Sequence, residues 1–469
     1  MPDPGAKKEN KIEAIVLAAG RGTRMRSKLP KVLHRLAGKE LLRHVLTAVQ
    51  ELNPSKTHVV VGFESGQVQM AFDGSAHEVN WIVQEQQLGT ADAAKQAVSD
   101  VDSDSTVLIV LGDVPLITSE TMRACIEQVA ESSICLVSAE VANPRELGRI
   151  IRDRKGNVSK IVEAKDASAK ELLITEINSG VLALPGAILR ELLAEVSNDN
   201  AKKEYYLTDI VGLARKKGIK VSALQAADPD EITGVNTRKD LSELERKFQF
   251  DQAQKLMSQG VAIADPERLD VRGVVKSGID CFIDVNVVFE GQVVLGDHVS
   301  IGSGCVISNS QLANGVRVEP NTVVDGAVIA DNCIVGPFAR IRPGTVLEDN
   351  VKIGNFVETK QATLGRGTKA NHLAYLGDTS VGEDCNIGAG AVTCNYDGAE
   401  KHKTSIGDEV FVGTNATLVA PVEIDDGAFV AAGSTITKKV GTDELAVGRG
   451  RQRNVKGWKR PSAHTSQKE

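Results

Sequence analysis

Residues 15–31 read IVLAAGRGTRMRSKLPK and hold the densest set of groups in the chain able to do chemistry. An apolar stretch, Ile12 to Ala18, runs into a turn carrying Gly20 and Gly22, and two cations, Arg24 and Lys31, follow at once. Glycine lets backbone N–H groups come close to an anion, and the cations neutralise its charge. Such a turn can cradle a nucleoside triphosphate. It is neither of the two best-known phosphate turns. Thr23 follows Gly22 where a P-loop carries lysine, and Met25 stands where a dinucleotide turn carries its third glycine.

The bulk composition narrows the class. At 469 residues the chain is long enough for at least two domains, each with its own core. A net charge of -7 gives no support to nucleic-acid binding. A local excess of cations (Arg449, Arg451, Arg453, Lys456, Lys459, Arg460) opens a basic tail, 449–469. The tail reads either as a solvated end or as a dock for a phosphate-rich ligand. Seven cysteines, an odd number with no C-x-x-C pair, argue against a disulfide framework or a structural zinc site and fit a reducing cytoplasm. The apolar run at Ile12 is interrupted by Glu13 and is too short for a membrane span or a signal peptide. Residues 1–11 and about 460–469 read as disordered.

The elements that must position the phosphate turn lie in residues 12–236. Strand patterns at 57–61, 81–84, 107–111, 134–137, 181–184 and 220–224 alternate with helical ones at 41–52, 91–98 and 119–129. This alternation predicts a mainly parallel sheet with helices on both faces, and ligands outside the carboxyl ends of its strands. Residues 237–260 read as a linker arm. Its charged amphipathic helix carries Leu241, Leu244, Phe248 and Phe250, with Thr237 as N-cap, Asp240 three residues on, and Gly260 as the stop.

Over 261–448 the period becomes six. Aliphatic residues recur at Leu295, Ile301 and Ile307, slip by one to Leu312, Val318 and Val324, and slip again to Ile329, Val335, Ile341, Leu347 and Ile353. The last array is Ile406, Val412, Leu418, Ile424, Val430 and Ile436. Small residues such as Cys305, Cys333, Cys385, Ala416, Ala428 and Ser434 sit four places on. A six-residue period marks a hexapeptide-repeat parallel β-helix of about ten coils, with aliphatic side chains inward and cysteines as small core residues. The period weakens over 359–376, which contains Lys360, His372 and Tyr375, and fails over 393–403, predicting a protruding loop.

The run L-x-x-G-x-G-T-R-M with the following P-K resembles the signature of sugar-phosphate nucleotidyltransferases. Together with the arm and the interrupted hexads, in this order over about 12–460, it resembles a family of bifunctional bacterial enzymes. These are the N-acetylglucosamine-1-phosphate uridyltransferases/glucosamine-1-phosphate acetyltransferases of UDP-N-acetylglucosamine and peptidoglycan synthesis. The resemblance implies a Rossmann-like α/β nucleotidyltransferase domain and a left-handed β-helix. It implies acetyl transfer from acetyl-coenzyme A to glucosamine 1-phosphate in the second half and Mg²⁺-dependent uridylyl transfer from UTP in the first. A cytoplasmic homotrimer with small-molecule substrates, no membrane and shared acetyltransferase sites is also implied.

Carried over by position, the resemblance implies that Leu17, Ala18, Ala19 and Gly20 lie along the nucleotide, with Arg24 and Lys31 on its phosphates. Gln84, Gly89 and Thr90 would read the base, where a glutamine amide offers donor and acceptor together. Asp113 and Asn236 would hold one Mg²⁺ through oxygen, and Gly148, Glu163 and Asn178 would contact the sugar and its N-acetyl group. In the second half, Arg342 and Lys360 would bind the sugar phosphate, Tyr375 and Asn386 the sugar, and His372 would act as general base, oriented by Glu358. Asn395, Tyr396 and Lys401 would complete the acetyl-transfer cleft, and Thr414, Ala432 and Arg449 would contact coenzyme A. Thr414 replaces an expected serine, and the Gly448–Arg449–Gly450 context departs from the family pattern. Two alternatives remain at this stage: a single-activity nucleotidyltransferase whose β-helix is a scaffold, and a non-enzymatic regulatory subunit.

Overall fold

A computed structural model describes residues 11–75 and 77–460. The predicted disorder of 1–11 and of the tail beyond residue 460 lies outside the described residues except at Lys11, which is held by Asp102 and by the Thr106 N–H donating to its carbonyl (2.8 Å). The chain divides into two compact units, one up to Gln249 and one from Phe250. The division falls inside the helix Arg238–Ser258, not at either end of the arm.

The first unit is built on a central sheet in the order Lys220–Gln225, Ser133–Glu140, Glu176–Pro185, Thr106–Leu111, Ile12–Ala18, Lys56–Val61 and Asn80–Val83. All neighbouring pairs are parallel except those made by Glu176–Pro185, which runs antiparallel to both of its neighbours. Burial on both faces explains the unbroken apolar sequence of the middle strand. Ala14, Val16 and Ala18 point into one cluster with the helix Leu41–Gln50, while Ile15, Leu17 and Ala19 point into the other with Thr90–Val98. Three helices, Ser65–Phe72, Gly186–Glu195 and Asp209–Lys216, and the hairpin of Arg149–Arg152 with Val158–Val162 were not among the predicted elements.

The Arg238–Ser258 helix begins as its sequence indicates. Asp240 N–H donates to Thr237 Oγ1 (3.1 Å) and Thr237 N–H donates to Asp240 Oδ2 (2.8 Å), a reciprocal capping box. Leu244 near its start packs with Met25, Leu36 and Val235 in the first unit's core. Ala253 and Leu256 belong to the core of the second unit. Gly260, at φ +98°, ends it.

The second unit is a parallel β-helix. One of its ladders holds eleven strands in sequence order from Ala262–Ile263 to Leu445–Ala446. Every hexad aliphatic named above is buried, as are Cys281, Cys305, Cys333 and Cys385. The two slips in the sequence frame are coils of 17 residues among coils of 18, visible in the spacing of the asparagine and aspartate side chains that bond to the coil before. Left-handed backbone at Asn321, Asn332, Asn350 and Asn415 turns several corners, where a short polar side chain tolerates positive φ.

The weak period at 359–376 is not a structural break. Thr359, Leu364, Ala370 and Leu376 fill the inward positions, and Thr345 and Thr359 share a buried hydroxyl hydrogen bond of 3.1 Å. Threonine and alanine had simply replaced the aliphatic residues that reveal the period. The failure predicted at 393–403 is real from residue 395 on, since Thr393 and Cys394 still belong to the strand Val392–Cys394 while Ser380 and Ser405 on stacked strands are 25 residues apart. Ile353 sits 1 % exposed in the middle of this core, so Ile353→Ala should cost about 2–5 kcal/mol of β-helix stability, read as a lower denaturant midpoint for that unit.

Candidate functional sites

In the first unit the strand Ile12–Ala18 delivers the chain to the carboxyl edge of the sheet, and the predicted residues gather there. Leu17, Ala18, Ala19, Gly20, Lys31, Gln84, Gly89, Thr90 and Asp113 line one cleft of about 660 Å³. A Cβ on Gly20 would meet no atom within 4 Å, so nothing in the protein demands glycine there. What glycine leaves is open space against bare backbone, as an anion needs. Gly89 is different. At φ +127° its Cβ would lie 2.4 Å from the carbonyl of Tyr205, because 88–91 is laced to 205–207 by backbone bonds and by the Thr90 hydroxyl.

Gln84 is buried, and its amide donates to Gly89 O (3.2 Å) and Asp92 Oδ2 (2.7 Å). Both donors are therefore committed, one to Gly89 in the loop and one to Asp92 in the first turn of the helix Thr90–Val98. Only the carbonyl oxygen remains for a ligand, so the expected paired donor and acceptor is reduced to an acceptor.

Lys31 Nζ donates to Asn236 Oδ1 at 3.2 Å and pairs with Asp113 Oδ2. Val235 N–H donates to the Asp113 backbone carbonyl (2.9 Å), which ties the end of this unit's fold to the carboxyl edge. The ammonium occupies the point on which the two side-chain oxygens converge. That geometry, with hard oxygen donors, accepts a cation and fits Mg²⁺. Among the described residues no group of three or more His, Cys, Asp or Glu is arranged to hold a metal, so an ion here would take most of its ligands from water and substrate. Arg24 donates to Glu146 Oε2 (2.7 Å) and Asn236 Oδ1 (3.0 Å).

Thr90 and Leu111 also line an adjoining pocket of about 180 Å³ with Gly148, Glu163 and Asn178. Its walls include Leu136, Ile161, Leu182 and Val211, and Glu163 accepts from Thr208 Oγ1 at 3.0 Å. Burial pushes the Glu163 carboxyl above its ordinary range, with the Thr208 hydrogen bond acting in the opposite direction.

In the second unit, coil stacking replaces loops as the positioning device. Arg342 follows a strand residue, Ile341, that pairs with Thr359, and Lys360 pairs with Gly377, so the two cations stand on neighbouring coils. Tyr375 pairs with Glu358 on the same ladder. Lys401, from the 393–403 insertion, lies beside Lys360, whose ammonium holds the Lys401 amine below its ordinary value. Glu358 bonds Arg342 (2.8 Å), not His372. The expectation that Glu358 orients the histidine is thus corrected. His372 Nδ1 lies 2.8 Å from Asn355 Oδ1, its in-register neighbour one coil earlier. An amide oxygen as acceptor assigns the proton to Nδ1 and leaves the Nε2 lone pair free.

Asn386 lies on the ladder of Lys369–His372, paired with Lys369. Thr414 and Ala432 stack on successive coils: a Cβ on Gly388 would touch Thr414 N, and one on Gly413 would touch Ala432 N. Arg449 donates to the Ala432 carbonyl at 2.7 Å. Among the described residues no hydrogen bond links this column to His372 or Lys360. Arg449 starts an exposed stretch without regular structure that runs to residue 460.

Comparison with known proteins assigns these features to a family. A MobA-like NTP transferase domain matches residues 14–202, and a GMPPB C-terminal domain matches 273–363. The hexapeptide repeat of succinyl-transferase matches 378–399, and the bacterial transferase hexapeptide (six repeats) matches 403–438. The bifunctional protein GlmU of Marinobacter nauticus is 48% identical over 450 residues, which is 96% of this chain and 99% of that protein. Those of Pseudomonas entomophila and Pseudoalteromonas atlantica are 49% and 47% identical over 450 and 451 residues, each 96% of this chain, and 98% and 99% of their own lengths. The chain belongs to the bifunctional GlmU family. It is a two-activity transferase, nucleotidyltransferase in its first unit and hexapeptide acetyltransferase in its second, which removes the scaffold and regulatory-subunit alternatives.

Several groups in this GlmU-family chain escaped the sequence reading. Glu146 and Thr208 sit in loops with no motif to mark them. Asn355 did carry a signal: it lies 17 residues before His372, one short coil, and so must stack beside it. Its replacement, Asn355→Ala, should lower the kcat of acetyl transfer about tenfold, the worth of one orienting hydrogen bond, leaving the KM values and uridylyl transfer near normal. Steady-state assays of the two half-reactions on the one protein would measure this.

Proposed function

We propose that the chain makes UDP-N-acetylglucosamine in two steps. Its second unit acetylates glucosamine 1-phosphate with acetyl-coenzyme A. Its first unit then transfers uridylate from UTP to the resulting N-acetylglucosamine 1-phosphate, releasing pyrophosphate. The observation that carries this reading is the coexistence in one family member of a cation-lined nucleotide cleft and a histidine with a free Nε2 on a hexapeptide β-helix.

In acetyl transfer, the sugar amine attacks the thioester carbonyl, the new C–N bond forms and the C–S bond breaks. His372 Nε2 accepts the amine proton, and coenzyme A leaves as the thiol after protonation. Arg342, Lys360 and Lys401 bind the sugar phosphate, and the placing of Arg342 and Lys360 on neighbouring coils with Lys401 beside Lys360 supports that role. Glu358 fixes Arg342 in this role. Tyr375 and Asn386 contact the sugar, Asn395 and Tyr396 border the thioester, and Thr414, Ala432 and Arg449 form the coenzyme A column.

In uridylyl transfer, a phosphate oxygen of the sugar attacks the α-phosphorus of UTP, and the bond to the β-phosphate breaks. Arg24 and Lys31 offset the charge that gathers on the departing pyrophosphate. Leu17, Ala18, Ala19 and Gly20 follow the nucleotide, Gln84, Gly89 and Thr90 its base. Gly148, Glu163 and Asn178 hold the sugar, and the apolar walls of their pocket suit an acetyl methyl. Asp113 and Asn236 would hold Mg²⁺, which supplies electrostatic stabilisation of phosphate charge. Lys31 must then give up its contact with them and turn to phosphate.

We place the enzyme in the cytoplasm as a homotrimer with shared acetyltransferase sites. Among the described residues no helix is long and apolar enough to cross a membrane. Exposed Tyr396 on the insertion is available to a neighbouring copy.

Two substitutions separate the halves. His372→Ala should lower acetyl transfer by about 10²–10⁴ and spare uridylyl transfer, while Asp113→Ala should do the reverse. Loss of both reactions from either change in a folded protein would contradict the assignment.

A further inference from the structure

We propose that Asp397 is a positioning residue for the sugar-phosphate site, closing the 395–403 insertion into a rigid hairpin that holds Lys401 beside Lys360. This rests on the acetyl-transfer reading above.

The insertion has no apolar core of its own, since Tyr396, Asp397, Gly398, Ala399 and Glu400 are all exposed. Its order comes instead from one carboxylate. Asp397 Oδ1 accepts the backbone N–H groups of Ala399 and Glu400, both at 2.8 Å, and Oδ2 accepts from His402 Nε2 at 2.7 Å. The backbone closes around it: Asp397 N–H donates to Glu400 O (3.2 Å) and His402 N–H to Asn395 O (2.9 Å), with Tyr396 and Lys401 bridged antiparallel. Asn395 anchors the base of the hairpin by donating to Asp378 on the preceding coil. The Glu400 N–H, then His402 and the Ala399 N–H, hold the Asp397 carboxyl well below the usual carboxylate range, so it is ionised whenever the enzyme works.

The hairpin works against a repulsion. Tyr396 and Lys401 are bridged beside Asn395, whose partner Asp378 follows the Gly377 that pairs with Lys360, and the neighbouring Lys360 ammonium pushes the Lys401 amine below its ordinary value. A lysine stem is flexible, and an untethered Lys401 would carry its charge out into water. The tether therefore keeps in place a cation pair whose charge Asp378 offsets only in part and an arriving phosphate would offset further. Asp397 touches neither substrate nor the reacting atoms. Its removal should weaken binding of the sugar phosphate in ground state and transition state alike, which raises KM without lowering kcat.

The test compares Asp397→Ala, Asp397→Asn and Lys360→Met in the full-length enzyme, assaying acetyl transfer over a range of glucosamine 1-phosphate and uridylyl transfer in parallel. Loss of a charge-assisted network should raise the KM for glucosamine 1-phosphate about tenfold in Asp397→Ala, with kcat within about twofold and uridylyl transfer unchanged. Asp397→Asn keeps an oxygen for the two N–H groups and should recover most of the loss. An unchanged KM, a fall in kcat alone, an asparagine variant no better than alanine, or a matching loss of uridylyl transfer would each overturn the proposal. If Lys360→Met also leaves KM unchanged, the phosphate-site reading itself fails. If Lys360→Met raises KM and Asp397→Ala does not, only the role of Asp397 fails.

Discussion

The second unit depends on one constraint, the in-register hydrogen bonding of each coil to the next. Because stacked strands are parallel and a coil spends 17 or 18 residues, side chains that far apart in sequence become lateral neighbours. Asn355 meets His372 for this reason, and Arg342 comes to stand next to Lys360. The same register that buries a continuous aliphatic column lines up functional groups on the outside of the prism. A residue's role in such a unit is set by its column as much as by its neighbours in sequence. The insertion after Cys394 is the exception, and there local polar bonding must do what stacking does elsewhere.

The first unit solves its positioning problem differently. Parallel strands end together at one edge, and the loops leaving that edge bring Gly20, Gln84 and Asp113 to a common cleft, while Asn236 reaches Lys31 from a neighbouring pocket that Arg24 also lines. Without substrate the cleft is balanced internally. Lys31 satisfies Asp113 and Asn236, and Arg24 satisfies Glu146 and Asn236. Each of these contacts joins groups that substrate and metal would separate. Binding would therefore exchange the internal contacts of Lys31 and Arg24 for substrate contacts, leaving the Glu146 carboxylate to water, to which it is already exposed.

Much of this was legible in the sequence, and for physical reasons. Ile12 to Ala18 could be read as a doubly buried strand because both faces had to be apolar, and the hexads could be read because each inward position wants a branched aliphatic side chain. The arm helix was marked by Thr237 and Asp240, whose capping bonds are local. The coil at 359–376 was misread because Thr359 and Ala370 do the packing of aliphatic residues without their signature, Thr359 being satisfied by another buried threonine. Glu358 was assigned to His372 with the residues carried over from the resemblance, whereas its partner in the fold is Arg342, a coil earlier. Gln84 looked like a paired donor and acceptor for a base, but its two N–H groups are engaged by Gly89 and by Asp92 on the following helix. For Thr359 and Glu358 the missing information was a partner one coil away in sequence; for Gln84 it was the local conformation that turns Gly89 and Asp92 toward its amide.

The most direct test of the whole account is one assay of the purified protein with glucosamine 1-phosphate, acetyl-coenzyme A, UTP and Mg²⁺, following free thiol and pyrophosphate separately. Both products should appear, with thiol released even when UTP is left out. Pyrophosphate from supplied N-acetylglucosamine 1-phosphate with no thiol under any condition would contradict it, and would leave His372 and its β-helix without the chemistry ascribed to them.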